Sequence, residues 1–177
     1  MKDGVFTGRA RVFDSERDLI EALEKRPETF ADSDMVVIRY EGPRGAPGMP
    51  ELLDPTSRIT ALCRRRSITV ALMTDARFSG GSVGLVIGHV APEAFAGGPI
   101  ALVEEGDTIV VDIKDDRLEC RELADPAVYA RRSEAWKAAA RANGGVHPDV
   151  KPVTNRLLKR MRFGARPALE GGGIAMG

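Results

Sequence analysis

The chain has 177 residues, with 26 lysines and arginines balanced by 26 aspartates and glutamates. That length suits one domain with a sizeable core plus a tail, and the zero net charge gives no footing for a nucleic-acid or membrane surface. Cys63 and Cys120 lie far apart without CxxC or Cys/His spacing, so neither a zinc site nor a disulfide framework is indicated. No apolar run approaches the roughly eighteen residues of a membrane span, and Met1-Lys2-Asp3-Gly4 lacks a signal-peptide core, so a cytoplasmic protein is expected.

In chain order, residues 9–13 read as a short strand, and Ser15 followed by Asp18 predicts a capped helix through Leu19, Ile20 and Leu23 that ends before Pro27. Residues 35–40 are a second apolar strand. From Glu41 to Glu51 three prolines and three glycines fall within eleven residues, a long shaped loop. Residues 55–66 carry a helical pattern with Ile59, Leu62 and Cys63 on one face. The closing Arg64, Arg65 and Arg66 complement the helix dipole and read as a solvated cluster without a partner. Residues 68–73 are apolar and β-branched, the mark of a buried strand. Beyond them, 83–90 and 100–103 read as strands, and 108–113 with 117–123 as a hairpin. Seven or so short strands with few helices predict a β-rich barrel or sandwich, α+β in class. From Asp125 the composition shifts. Pro126–Ala142 is a charged helix, 153–163 a short basic helix and 171–177 a flexible end, so 125–177 reads as a helical extension packed on a 1–124 domain.

The most informative segment is Asp75-Ala76-Arg77-Phe78-Ser79-Gly80-Gly81-Ser82, directly after the apolar run 68–73. Two adjacent glycines past a strand let the backbone turn where a Cβ would clash and present Ser79 at a strand end. They also leave the N–H groups of Gly80 and Gly81 free to face an anion, a combination suited to a carboxylate-bearing substrate. Serine and glycine are equally ordinary turn residues, and that reading stands beside the first. Glu51 closes the Pro/Gly loop, with one helix and one strand between it and Ser79, so both loops are expected to open on one edge of the core. A carboxylate on a proline-stiffened loop suits a hard cation such as magnesium, and it suits a helix N-terminus as well. Arg77 reads as a carboxylate clamp or as a surface arginine. His89 is a candidate acid, base or hydrogen-bond donor, or else a structural histidine bonded to backbone. Asp75 and Asp107 flank turns, where short carboxylates bond local amides, and His147 reads as surface.

Three stretches carry a family resemblance: Val36-Val37-Ile38-Arg39-Tyr40-Glu41-Gly42-Pro43-Arg44-Gly45-Ala46-Pro47-Gly48-Met49-Pro50-Glu51, the turn at 74–81, and Gly88-His89-Val90-Ala91-Pro92-Glu93-Ala94 with Gly97-Gly98-Pro99-Ile100. Together, over residues 9–132, the chain resembles the C-terminal domain of the dihydroxy-acid dehydratase and 6-phosphogluconate dehydratase family, which includes sugar-acid dehydratases. The resemblance implies a core like the aconitase swivelling domain, a β-barrel with flanking helices, and loss of water from a 2,3-dihydroxy acid or sugar acid to give a 2-keto acid. It implies an iron–sulfur cluster as Lewis acid at the departing 3-hydroxyl and magnesium at the carboxylate and 2-hydroxyl. By the same resemblance Glu51 is a magnesium ligand and Ser79 takes the C2 proton as an alkoxide. Arg77, Gly80, Gly81 and Ser82 are expected to line the substrate site. A free serine hydroxyl is too weak an acid to ionise near neutral pH, so that alkoxide needs metal charge nearby.

The family's Asp-Gly-Arg stands here as Asp75-Ala76-Arg77, and its Ser-Gly-Gly-Thr-His-Gly as Ser79-Gly80-Gly81-Ser82-Val83-Gly84. The family's cluster cysteines belong to an N-terminal domain without a counterpart in these residues, and Cys63 and Cys120 match none of their motifs. The chain is therefore expected to hold no cluster ligand. The expectation is the C-terminal part of a longer, homo-oligomeric dehydratase that acts on a small hydroxy acid and is inactive without its N-terminal domain. A non-catalytic module of the same fold that binds sugar acids or docks a protein is the alternative, and a small subunit beside a separate large one is a third.

Overall fold

A computed structural model describes residues 3–174. Four parallel strands, β1 (Val5–Phe13), β2 (Asp34–Ile38), β3 (Val70–Thr74) and the two-residue β4 (Val86–Ile87), are continued beyond β1 by an antiparallel hairpin of β5 (Thr108–Asp112) and β6 (Arg117–Cys120). The order β4-β3-β2-β1-β5-β6 makes a mixed six-stranded sheet curled into a half-barrel, an α+β fold with four helices among the described residues. Among the same residues no helix is long and apolar enough to cross a membrane.

Every residue of β2 and β3 is buried, as continuous apolar runs require where both faces of a sheet are covered. The period of two divides them. Met35, Val37, Ala71 and Met73 join Phe6, Ala10, Ile109 and Val111 in one core, while Val36, Ile38, Val70 and Leu72 meet Leu19, Leu23, Ile59 and Leu62 in the other. The second core lies under α1 (Glu16–Lys25) and α2 (Leu53–Arg66). Ser15 Oγ caps α1 by accepting the Asp18 N–H at 3.1 Å, and the helix stops before Pro27 as its sequence predicts.

Several expectations are corrected. Residues 100–103 are not a strand: Pro99–Leu102 is a 3-10 turn, because Pro99 has no N–H for a ladder and presets φ for a first helical turn. Ile100, Ala101 and Leu102 are apolar because they fill a core, not because they pair. Only Val86–Ile87 of the run 83–90 is strand; Gly84 at φ +96° and His89 at φ +56° turn the chain off on either side. Arg64, Arg65 and Arg66 are exposed, as a solvated cluster should be, and Arg66 Nη1 also donates to Pro27 O (2.9 Å) and Phe30 O (2.6 Å). Asp107 bonds the local Glu104 N–H but also receives Arg132 of α3 (Pro126–Ala142), with Nη2 at 3.0 Å from Oδ1. The basic helix α4 runs Arg156–Gly164, starting where Asn155 Oδ1 caps the Leu157 N–H at 2.7 Å. The expected flexible end at 171–177 falls within the described residues only to Ile174, and there an Ala165–Ile174 bridge and an Arg166 N–H to Gly173 O bond of 2.7 Å close it into a turn.

Phe30 is fully buried, with its ring 6.1 Å from that of Phe13 and the Arg11 guanidinium 5.0 Å from its centroid. Phe30→Ala is expected to cost about 3–5 kcal/mol in urea unfolding with unchanged m-value, and a loss below about 1 kcal/mol would contradict the packing. Glu41, 9% exposed, accepts the Glu16 N–H at the start of α1 (2.7 Å), and burial first, with neighbouring carboxylates adding, pushes its pKa up to about 7. The folded value lies above the unfolded 4.5, so the group's contribution is complete below about 4.5 and is lost as pH rises through about 7. A neutral amide still accepts the Glu16 N–H. Glu41→Gln is therefore expected to unfold at higher urea than wild type at pH 8, by up to about 3 kcal/mol, and to differ little at pH 4.5.

Candidate functional site

Strands β2 and β3 run parallel in register, Ile38 opposite Thr74, so the loops that follow them leave the sheet at the same carboxyl edge. That edge is stitched together by Asp75, the first residue past β3. Its side chain is fully buried; Oδ2 accepts the N–H groups of Tyr40 (3.1 Å) and Ala94 (2.9 Å), and Oδ1 that of Glu41 (3.0 Å). The expected local bonding is thus replaced by bonds to two distant segments. Burial raises the Asp75 pKa, and the three N–H donors work against that rise.

Glu51 and Arg77 meet directly. Arg77 Nη1 lies 2.6 Å from Glu51 Oε1, and Arg77 Nε donates to Met49 O at 3.4 Å. Both side chains are about half exposed, at 42% and 49%, so the pair is open to competing ligands. The carboxylate that Arg77 clamps in this structure is that of Glu51. Two residues on from Arg77 along the open segment, the chain turns at Ser79-Gly80-Gly81-Ser82: Ser82 N–H donates to Ser79 O (3.0 Å), and Gly81 N–H faces Ser79 Oγ at 3.5 Å. Ser79 is therefore five residues beyond the end of β3, not at the strand end. The glycine argument also changes. A Cβ on Gly80 or Gly81 would meet nothing within 4 Å, and the conformation that demands glycine is at Gly84. What glycine gives at 80 and 81 is bare, exposed backbone toward the outside.

Ser82 Oγ is buried, with no hydrogen-bond partner among the described residues, and faces a cavity of about 250 Å³ shared with Gly81, Val83 and the α2 residues Thr56, Thr60 and Arg64. His89 is exposed and bonds through its N–H to Ala76 O (2.7 Å). It borders a different groove, about 690 Å³, between β4 and β6. Among the described residues no hydrogen bond joins its ring to Glu51, Arg77 or Ser79.

His147 is not at the surface. Its ring stacks on Trp136 (5.4 Å between centroids) and on Tyr40 (5.8 Å), and Trp136 Nε1 donates to Tyr40 Oη at 3.0 Å. Burial lowers its pKa. Among the described residues one set of metal-type side chains gathers, Asp107, Cys120 and Glu122, but Asp107 is neutralised by Arg132 and burial pushes the Cys120 thiol up to about 12. Sequence reasoning passed over Asp75, Glu93, Trp136 and Arg162 as site builders. The one signal for them is the company they keep, polar groups set among buried apolar ones.

The chain matches the family described as dihydroxy-acid/6-phosphogluconate dehydratase C-terminal over residues 1–171. It is 50% identical over 162 residues to the mitochondrial dihydroxy-acid dehydratase of Schizosaccharomyces pombe, covering 91% of this chain and 25% of that protein. With the dihydroxy-acid dehydratase of Chromohalobacter salexigens the identity is 53% over 140 residues, 78% of this chain and 24% of that one. With that of Burkholderia mallei it is 44% over 171 residues, 97% and 28%. The chain thus spans about a quarter of the length of the curated relatives it matches. On this near-complete match it belongs to the dihydroxy-acid/6-phosphogluconate dehydratase C-terminal family.

Proposed function

We propose that this domain supplies the base and one metal-ligand carboxylate to a hydro-lyase that converts a 2,3-dihydroxy acid to a 2-keto acid. The observation that carries the reading is the Arg77–Glu51 ion pair, which ties the end of the Pro/Gly loop to the segment leading into Ser79. Both loops leave the carboxyl edge of parallel strands, the side on which such sheets bind ligands.

Glu51 fits a magnesium ion as a hard oxygen donor: it is half exposed, sits on a proline-rich loop, and engages Arg77 through Oε1 alone. It supplies one carboxylate, and the other magnesium ligands are assigned to the N-terminal domain. When bound, magnesium supplies the charge that holds the substrate carboxylate and 2-hydroxyl and stabilises the anion as C2 loses its proton. An iron–sulfur cluster does not fit these residues. Cys63 packs against one core and Cys120 against the other, on opposite faces of the sheet, and the Cys120 thiol is held protonated where cluster ligation needs thiolate. Its ligands are assigned to the N-terminal domain.

In this reading Ser79 Oγ, as alkoxide, takes the C2 proton, and the bare backbone at Gly80 and Gly81 lets the substrate approach closely. Arg77 and Ser82 line the substrate site, and His89 stays outside the reacting atoms. A proton from C2 and the hydroxyl of C3 leave as water, and the enol that remains tautomerises to the keto acid. The site is completed by the rest of a homo-oligomeric enzyme, and the isolated chain is inactive.

In the full-length dehydratase loaded with cluster and magnesium, Ser79→Ala is expected to lower kcat by about 10²–10⁴-fold with little change in KM. Glu51→Gln is expected to raise the magnesium requirement. Wild-type rates in Ser79→Ala would overturn the assignment of the base, and turnover by the 177-residue chain alone would overturn its incompleteness.

A further inference from the structure

The Pro/Gly loop that ends in Glu51 is gripped at one dipeptide by two buried charges. On one side, Glu93 Oε2 accepts the N–H groups of Arg44 and Gly45, each at 3.0 Å. On the other, Arg162 of α4 donates from Nε to Arg44 O (3.0 Å) and from Nη2 to Gly45 O (2.7 Å), and its Nη2 also reaches Lys151 O at 3.0 Å. Glu93 is 3% exposed and Arg162 6%. The Phe95 ring carries both the Arg44 and the Arg162 guanidinium over it, 5.0 and 5.6 Å from its centroid.

Taking two charges out of water is costly unless close partners replace the solvent. Here the partners are the peptide groups of an irregular loop rather than each other, and charge-assisted bonds to both edges of one dipeptide fix its plane as a neutral contact would not. The space around it is tight: a Cβ on Gly45 would fall 2.3 Å from Tyr40 O, and one on Gly42 2.7 Å from Glu93 Oε2. From the grip, short bonds run on through Ala46 N–H to Gly42 O (2.9 Å) and Met49 N–H to Ala46 O (2.8 Å), and Met49 O then receives Arg77. Two residues later comes Glu51.

We propose that Glu93 and Arg162 are positioning residues that fix the Glu51 carboxylate for its cation, so that helix α4 of the C-terminal extension belongs to the working site. This rests on Glu51 being a metal ligand. Glu93 sets the N–H edge of the dipeptide and Arg162 the carbonyl edge, and loss of either lets the loop, and the oxygen it carries, wander.

The test is Mn²⁺ binding followed by electron paramagnetic resonance, with magnesium activation in parallel, on the full-length dehydratase carrying Arg162→Met, Arg162→Lys, Glu93→Gln or Glu51→Gln. Arg162→Met is expected to weaken Mn²⁺ binding by about 10–100-fold, the usual cost of losing a group that orients a ligand, and Glu93→Gln, which keeps an acceptor oxygen for the two N–H groups but not the charge, by less. Their kcat at saturating magnesium is expected to fall by much less. Arg162→Lys keeps the charge but not the fork, and is expected to recover part of the affinity, which also serves if the methionine variant fails to fold. Wild-type Mn²⁺ affinity in the Arg162 and Glu93 variants, or a loss of kcat with affinity unchanged, would overturn the positioning role. A silent Glu51→Gln would instead remove the ligand assignment itself, and the positioning role with it.

Discussion

A single carboxylate, that of Asp75, holds the carboxyl edge of this domain together. Parallel strands end with their last N–H and C=O groups unpaired, and the loops that follow need bonding partners once they are drawn under cover. Asp75 supplies acceptors for three of those N–H groups, from Tyr40, Glu41 and Ala94, and so joins the segments after β2 and β3 with the one that carries Glu93. The other contacts of the edge follow from that junction. Glu41 is placed to cap α1, Glu93 to grip Arg44 and Gly45, and the Pro/Gly loop to deliver Glu51 to Arg77.

Burial raises the pKa of all three of these acids, Asp75, Glu93 and Glu41. Backbone N–H donors offset part of that rise in each case, which is how acidic groups are tolerated beneath a covering loop. Glu51 and Arg77, by contrast, are half exposed, so the rigid part of the edge is inside and the exchangeable pair is at its rim.

The extension after residue 124 is built into the same core. Arg132 bonds Asp107, Trp136 bonds Tyr40, His147 stacks on both of those aromatic rings, and Val150 is buried. Arg162 then closes over the Pro/Gly loop. Tyr40 is therefore held through its N–H by Asp75 and through its hydroxyl by Trp136, linking the strand-end junction to the helical extension.

Local pattern was enough for β2, β3, α1, α2, the β5–β6 hairpin and α3, because each carries an apolar period, a cap or a turn within its own few residues. The order of Glu51, Ser79 and the Gly88-His89 segment was also enough to reach the family and the two loops that share an edge. Local pattern failed where burial came without pairing, as in Pro99–Leu102, and where backbone turned at Gly84 and His89. It could not assign the partners of Asp75, Glu93, Arg162 or His147. A carboxylate or guanidinium looks the same in sequence whether it is solvated or buried, and only the approach of segments 19 to 118 residues apart settles which N–H and C=O groups it must satisfy.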